Sequence, residues 1–160
     1  MECIIIPHMA QRIQVPIKRL AGQEDLPLPA YQSELAAGMD LYAAVPADKP
    51  LTMDPGQIIL VPTGIAIAVP PGFEAQVRPR SGLALRHGIT LANTPGTIDA
   101  DYRGEMRLIL INLGPDPYEI TRGMRIGQIL VKPVPVTQWL EVSQLPSTDR
   151  GDGGFGHTGS

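Results

Sequence analysis

Five short stretches of the sequence set side chains capable of chemistry among turn-forming residues. Between Asn93 and Glu105, NTPGTIDADYRGE places two carboxylates, a tyrosine and two glycines between apolar runs. A hairpin accounts for Asp99, Asp101 and Gly104 as turn formers. Asp99, however, ends the Thr97-Ile98 run rather than sitting mid-turn, where a partly shielded carboxylate could accept a proton from water. Tyr102 would cap the same pocket or merely cover the hairpin. Pro79-Arg80-Ser81-Gly82 reads as an ordinary turn, or as an anion nest in which Ser81 and adjacent N–H groups hold a phosphate and Arg80 balances its charge. Asp40 interrupts the small, apolar AAGMDLYAA. Buried, it needs a partner: an arginine in an ion pair, or a metal or catalytic water. Gln128 opens an apolar run and is equally readable as an edge residue.

The fifth stretch is the C-terminal PSTDRGDGGFGHTGS, with five glycines and a single apolar side chain, Phe155. It buries too little to order itself, so the expectation is a mobile arm. Phe155 is either incidental or functional. In the functional reading the glycines let backbone N–H groups approach phosphate oxygens, Arg150 supplies a bidentate cation, and Phe155 stacks on a nucleobase. Such stacking is worth about 1–3 kcal/mol.

The whole composition limits what these groups can serve. Thirteen Lys and Arg stand against sixteen Asp and Glu, and charged residues make up 18% of the chain. That excludes a strongly basic nucleic-acid binder, so a polyanionic ligand must be small and locally recognised. His8, His87, His157 and the single Cys3 show no zinc-ligand spacing. The lone cysteine also excludes an internal disulfide framework and fits a reducing compartment. No run approaches the length of a membrane span, and Cys3 to Ile6 is too short for a signal-peptide core, so a soluble, cytoplasmic protein is expected.

Gly and Pro together occupy 34 of 160 positions, which disfavours long helices. Residues 12–20 alternate as a half-buried strand, and Gly22 to Pro29 breaks the pattern into a loop. Strand-like segments follow at Gly38 to Ala44, Gln57 to Val61, Gly64 to Val69, Glu74 to Arg78, Ile89 to Ala92, Glu105 to Leu113 and Gln128 to Pro133. Their spacing predicts an all-β sandwich or barrel. A single helical turn at Leu83 to His87 would be decoration. One domain spans residues 1–145, with the first ten as a candidate disordered lead without an assigned role, and residues 146–160 form the arm.

In order along the chain, Ala37-Gly38-Met39-Asp40-Leu41, Pro79-Arg80-Ser81-Gly82-Leu83, Gly96-Thr97-Ile98-Asp99-Ala100-Asp101-Tyr102-Arg103-Gly104, Arg122-Gly123-Met124-Arg125-Ile126-Gly127-Gln128 and Arg150-Gly151-Asp152-Gly153-Gly154-Phe155-Gly156 resemble the five motifs of the trimeric dUTPase family. The resemblance implies a jelly-roll homotrimer with active sites between subunits. Each site would cleave dUTP to dUMP and pyrophosphate with Mg²⁺, limiting uracil in DNA and supplying dUMP for thymidylate synthesis. Asp99 would deprotonate the water that attacks the α-phosphorus, and Asp40 would help position the hydrated metal through water. Arg80, Ser81, Gly82, Gln128 and Arg150 would contact phosphates. The third-motif backbone at Thr97 and Ile98 would read the uracil edge, with Asn93 supporting a bound water. Tyr102 would pack on the deoxyribose and Phe155 on the base. Where the family usually carries a small hydroxyl residue after Phe-Gly, this chain has His157. The phosphate contact is therefore expected to pass to Thr158 or to become mildly pH dependent. Two other readings stay open: a related enzyme that deaminates dCTP, and a catalytically silent nucleotide-binding trimer.

Overall fold

A computed structural model describes residues 12–154. Eleven short strands and one helix follow in chain order: β1 (Ile17–Arg19), β2 (Met39–Tyr42), β3 (Leu51–Met53), β4 (Ile58–Pro62), β5 (Ile65–Ile67), β6 (Phe73–Arg78), α1 (Ser81–His87), β7 (Ile89–Leu91), β8 (Gly96–Ile98), β9 (Arg107–Asn112), β10 (Tyr118–Ile120) and β11 (Arg125–Pro133). All strand pairs are antiparallel. They assemble into a four-stranded sheet, β2-β11-β6-β8, a three-stranded sheet, β4-β9-β7, and two two-stranded ribbons, β1-β5 and β10-β3. This is the all-β architecture that the strand spacing predicts, in the jelly-roll-like form that the family resemblance implies.

The inward residues follow the two-residue period of a pleated strand. Ala75 and Val77 of β6 face Val61 of β4 and Leu108 and Leu110 of β9 in one aliphatic core, joined by Leu41, Ile65, Ile67, Met53, Ile89, Leu91, Ile120, Ile126 and Ile129. Asn112 occupies the next inward position after Leu110, yet it is fully buried. Its Nδ2 donates to the Met53 and Asp116 carbonyls at 2.9 and 2.8 Å, and its Oδ1 accepts from the Gly114 amide at 2.9 Å. Among the described residues no buried side-chain nitrogen or oxygen lacks a hydrogen-bond partner.

Several elements differ from expectation. Of residues 12–20, only Ile17–Arg19 pairs, and all three are exposed because β1 lies on β5 at the periphery. The helix begins at Ser81 and spans seven residues, and its buried Leu83 makes it part of the core rather than decoration. It stops where Gly88 adopts φ 68° and its N–H caps the Ala84 carbonyl. A side chain there would meet the Gly114 backbone, so this left-handed turn needs glycine on both counts. Strands β3 and β10 escaped the sequence reading because each is only three residues long, too short to show a period.

The segment read as a simple hairpin is more elaborate. β7 and β9 do pair with each other, but between them the chain leaves their sheet so that β8 can pair with β6 in the other one. Residues 92–106 thus bridge the two sheets. Beyond Pro133, residues 134–154 form no strand or helix and are almost entirely exposed, including Val136, Trp139, Leu140 and Leu145.

Candidate active site

The candidate residues fall into two groups on the four-stranded sheet. In the first, Gln128 of β11 lies opposite Asp40 on β2 and Arg78 on β6. It is interior to the sheet, so the edge-residue alternative is overturned; β11 begins three residues earlier than its apolar run suggests. The Gln128 Nε2 donates to the Pro79 carbonyl at 3.0 Å. Its Oε1 sits where Gly38 has no side chain; a Cβ there would lie 2.6 Å from that oxygen. Gly38 is therefore the residue that admits the Gln128 amide beside Pro79.

Asp40 is 8% exposed, and both carboxylate oxygens are engaged. Arg80 Nε donates to Oδ1 at 3.2 Å and Arg125 Nη1 to Oδ2 at 3.0 Å. The ion-pair alternative for Asp40 is thus present, with two arginines instead of one. A carboxylate has about four lone-pair sites, so these two bonds leave acceptor capacity for water. Arg80 precedes α1, and Ser81 and Gly82 open the helix. The Arg80 carbonyl takes the Leu83 and Ala84 amides, which leaves the first two N–H groups outside the helical ladder. Two cations, one carboxylate, a side-chain amide and free N–H groups at one sheet end form a site suited to a polyanion.

The second group lines a cleft of about 260 Å³ formed by Leu60, Thr97, Ile98, Asp99, Tyr102, Glu105, Met106 and Arg107. The turn is fixed locally: Tyr102 N donates to the Asp99 carbonyl at 3.2 Å and Tyr102 Oη to the Glu105 carbonyl at 2.9 Å. The Glu105 carboxylate accepts the Gly64 amide at 2.9 Å, bracing the turn against the β4–β5 connection. Asp99 is exposed rather than shielded in the single chain, and among the described residues it enters no ion pair. A carboxylate that is not committed to a cation leaves its oxygens open to a hydrogen bond from water. Asn93 is exposed in the turn before β8, its Nδ2 close to buried Gly96.

The register separates the two groups. Ile98 lies opposite Ala75, so Asp99 stands one residue beyond it, level with Glu74, whereas Arg80 lies six residues further along the β6 direction. At about 3.3 Å per residue the two are roughly 20 Å apart along the sheet. Arg150 belongs to neither group: its Nε donates to the Gly153 carbonyl at 2.7 Å within the exposed C-terminal segment. Phe155, His157 and Thr158 lie outside the described residues. Among the described residues, no three His, Cys, Asp or Glu side chains are grouped to hold a metal.

Arg122, also in the fourth stretch, has a structural place. Its guanidinium forks onto Asp25, with Nη2 to Oδ1 at 2.6 Å and Nε to Oδ2 at 2.9 Å, and Nη1 reaches the Val45 carbonyl at 3.1 Å. The Arg122 hydrogen bonds hold the Asp25 carboxyl below the usual carboxylate range, against a smaller opposing effect of burial, and Asp25 in turn raises Arg122. Sequence reasoning missed Arg125, Glu105 and Gly38. Gly38 and Arg125 stood in recognised stretches, but nothing in their spacing marked the contacts they make.

Residues 24–159 match the family model for dUTPase. The chain belongs to the dUTPase family. A relative in Caldanaerobacter subterraneus subsp. tengcongensis, named deoxyuridine 5'-triphosphate nucleotidohydrolase, is 58% identical over 147 residues, 92% of this chain and 98% of the relative. Among solved structures, the dUTPase of Staphylococcus bacteriophage 80alpha with dUPNHPP is similar at TM-score 0.81 and 21% identity, covering 92% of this chain and 99% of that one. A variant dUTPase of phage phi11 of S. aureus, whose structure concerns the coordination of a structural Mg(II) ion, aligns at TM-score 0.73 and 18% identity over 84% of this chain and 100% of its own. At such identities the two phage enzymes establish the fold. Both groups of side chains lie in dUTPase-matching sequence, as does the C-terminal segment through Gly159.

Proposed function

We propose that this dUTPase hydrolyses dUTP to dUMP and pyrophosphate by attack of water on the α-phosphorus, with Asp99 as the base. The observation that carries the mechanism is the Asp99 carboxylate, without an ion pair among the described residues and at the mouth of the Tyr102 cleft. It would orient the water and take its proton as the new P–O bond forms and the bond to the β-phosphate breaks. Thr97 and Ile98 present backbone groups to the uracil edge, with Asn93 holding a water. Tyr102, fixed by its bond to Glu105, lies against the deoxyribose and leaves no room for a 2′-hydroxyl. Cytosine, with donor and acceptor exchanged, would leave buried groups unpaired at about 1–3 kcal/mol each.

Arg80, Ser81, Gly82 and Gln128 bind the phosphates, joined from the C-terminal arm by Arg150 and Thr158, while Phe155 stacks on the base. Closure of the arm, residues 146–160, then excludes bulk water. Mg²⁺ fits a donor set of hard oxygens with only one nearby buried carboxylate. It would be held by substrate phosphates and waters, with Asp40 contributing through water by its unused lone pairs. Bound there, it supplies neutralisation of phosphate charge.

The roughly 20 Å that separates Asp99 from Arg80 along the sheet of one chain supports a site completed between copies, in a homotrimer. The same register supports that reading, as does the exposed apolar segment bearing Val136, Trp139, Leu140 and Leu145. No helix among the described residues is long and apolar enough to cross a membrane, and we place the enzyme in the cytoplasm, acting on the free nucleotide pool without nucleic-acid partners. There it would limit uracil in DNA and supply dUMP.

The test is pyrophosphate release with Mg²⁺ from dUTP, dTTP, dCTP and UTP, in wild type and Asp99→Asn. Hydrolysis of dUTP alone is expected, with a drop of about 10²–10⁴ in the variant. Turnover of dTTP or UTP would refute the pocket assignment; an active Asp99→Asn would refute the base.

A further inference from the structure

The Arg80 group contains a second guanidinium, that of Arg125, which the phosphate roles above do not use. Arg125 and Arg80 hold opposite oxygens of the Asp40 carboxylate at 3.0 and 3.2 Å. They are also tied directly, because Arg80 Nη1 donates to the Arg125 carbonyl at 3.4 Å. The Asp40 side chain is only 11% exposed, whereas those of Arg80 and Arg125 are 27% and 44% exposed. The carboxylate is thus enclosed by cations whose outer N–H groups still face solvent.

An irregularity in β11 brings Arg125 there. Gln128 pairs with Asp40 and Gly127 with Leu41, but the next pair is Arg125 with Tyr42, so β11 contributes one residue more than β2. In an unbroken strand Arg125, three positions before Gln128, would point to the opposite face from Gln128 and Asp40. The extra residue reverses the alternation. Ile126 enters the core at 1% exposure, and Arg125 emerges on the Asp40 face.

The charge arithmetic gives this arrangement a purpose. Arg80 alone with Asp40 would form a neutral pair, a poor receptor for polyphosphate. Two guanidiniums around one carboxylate leave a net positive charge, and the shared carboxylate fixes both in place before any ligand arrives. Bidentate donors held in this way need little reorganisation to bind an anion.

We infer that Arg125 is a positioning residue of the phosphate site: it holds Asp40 and, through Asp40 and its own carbonyl, sets the Arg80 guanidinium to receive a polyphosphate. This rests on reading the Arg80 group as the phosphate site. The experiment compares the full chain with Arg125→Ala, Arg125→Lys, Asp40→Asn and the Asp40→Asn/Arg125→Ala pair. Affinities for inorganic tripolyphosphate and for deoxyuridine are measured by calorimetry, beside kcat and KM for dUTP. Arg125→Ala should weaken tripolyphosphate binding and raise KM about tenfold, as expected for loss of one charge-assisted contact. Deoxyuridine affinity should stay unchanged, Arg125→Lys should recover part of the loss, and in the Asp40→Asn background the effect should shrink well below tenfold.

Unchanged tripolyphosphate affinity in Arg125→Ala overturns the inference. So does an equal loss for deoxyuridine, which would mark a general disturbance, or a full tenfold loss persisting without the Asp40 charge, which would mark direct contact. The function reading fails separately. A wild type that does not cleave dUTP but loses tripolyphosphate binding on Arg125→Ala supports the inference and refutes that reading, whereas a wild type that binds no tripolyphosphate refutes the inference.

Discussion

The Asp25–Arg122 pair shows what one side chain can do across 97 positions of sequence. Arg122 ties the loop after β1 to the turn before β11, and its bond to Asp25 lowers the carboxyl below its ordinary value. The sign follows: an acid depressed in the fold stabilises the fold above its unfolded pKa of about 3.9, and that contribution is lost as pH falls through the lower folded value. Arg122 stays charged throughout. Wild type should therefore exceed Asp25→Asn in urea midpoint at about pH 6, with the gap narrowing as pH falls below about 4. Because the pair is at the surface, the gap will be small. A gap that persists unchanged at the acid end would detach Asp25 from the pH dependence of stability. Asp99, Arg80 and Tyr102 could be singled out from sequence because each sits at a break in an apolar run. Asp25 could not, because a polar residue in a polar loop carries no signal until its distant partner is known.

At the scale of elements, position follows from where strands pair rather than from where they lie in the chain. The alternation of β6 and β9 was legible, since buried and exposed faces demand it. The departure of β8 into the other sheet was not, because three residues with a glycine carry no period. The β11 irregularity hid Arg125 for a related reason: alternation read outward from Gln128 assigns it to the wrong face. Gly38 belongs here too, as the gap on β2's approach that accommodates the Gln128 side chain of β11. Gly38→Ala should displace that side chain and break its 3.0 Å bond to Pro79. The expected cost is about 1 kcal/mol of stability. KM for dUTP should rise several-fold, while deoxyuridine binding is retained. An unaltered KM, checked beside the denaturation midpoint, would separate Gln128 from phosphate binding.

On the scale of the whole molecule, the four-stranded sheet holds the two candidate groups well apart within one chain. The register sets Asp99 near the Glu74 level and Arg80 beyond Arg78. Side chains alone do not close a gap of roughly 20 Å on a single phosphate, so the proposed site has Asp99 of one copy meet Arg80 of another. This yields a test that mutation of a single chain cannot give. Arg80→Ala and Asp99→Asn chains, each inactive by itself, are denatured, mixed in equal amounts and refolded together. With sites shared between neighbours in a closed ring, a site is intact when its Arg80 comes from the Asp99→Asn chain and its Asp99 from the Arg80→Ala chain. Random assortment makes roughly a quarter of the sites whole. Recovery of about that fraction of wild-type activity is the expected result. If both groups served from the same chain, every site in the mixture would carry one defect, and the refolded sample would stay as inactive as its parents.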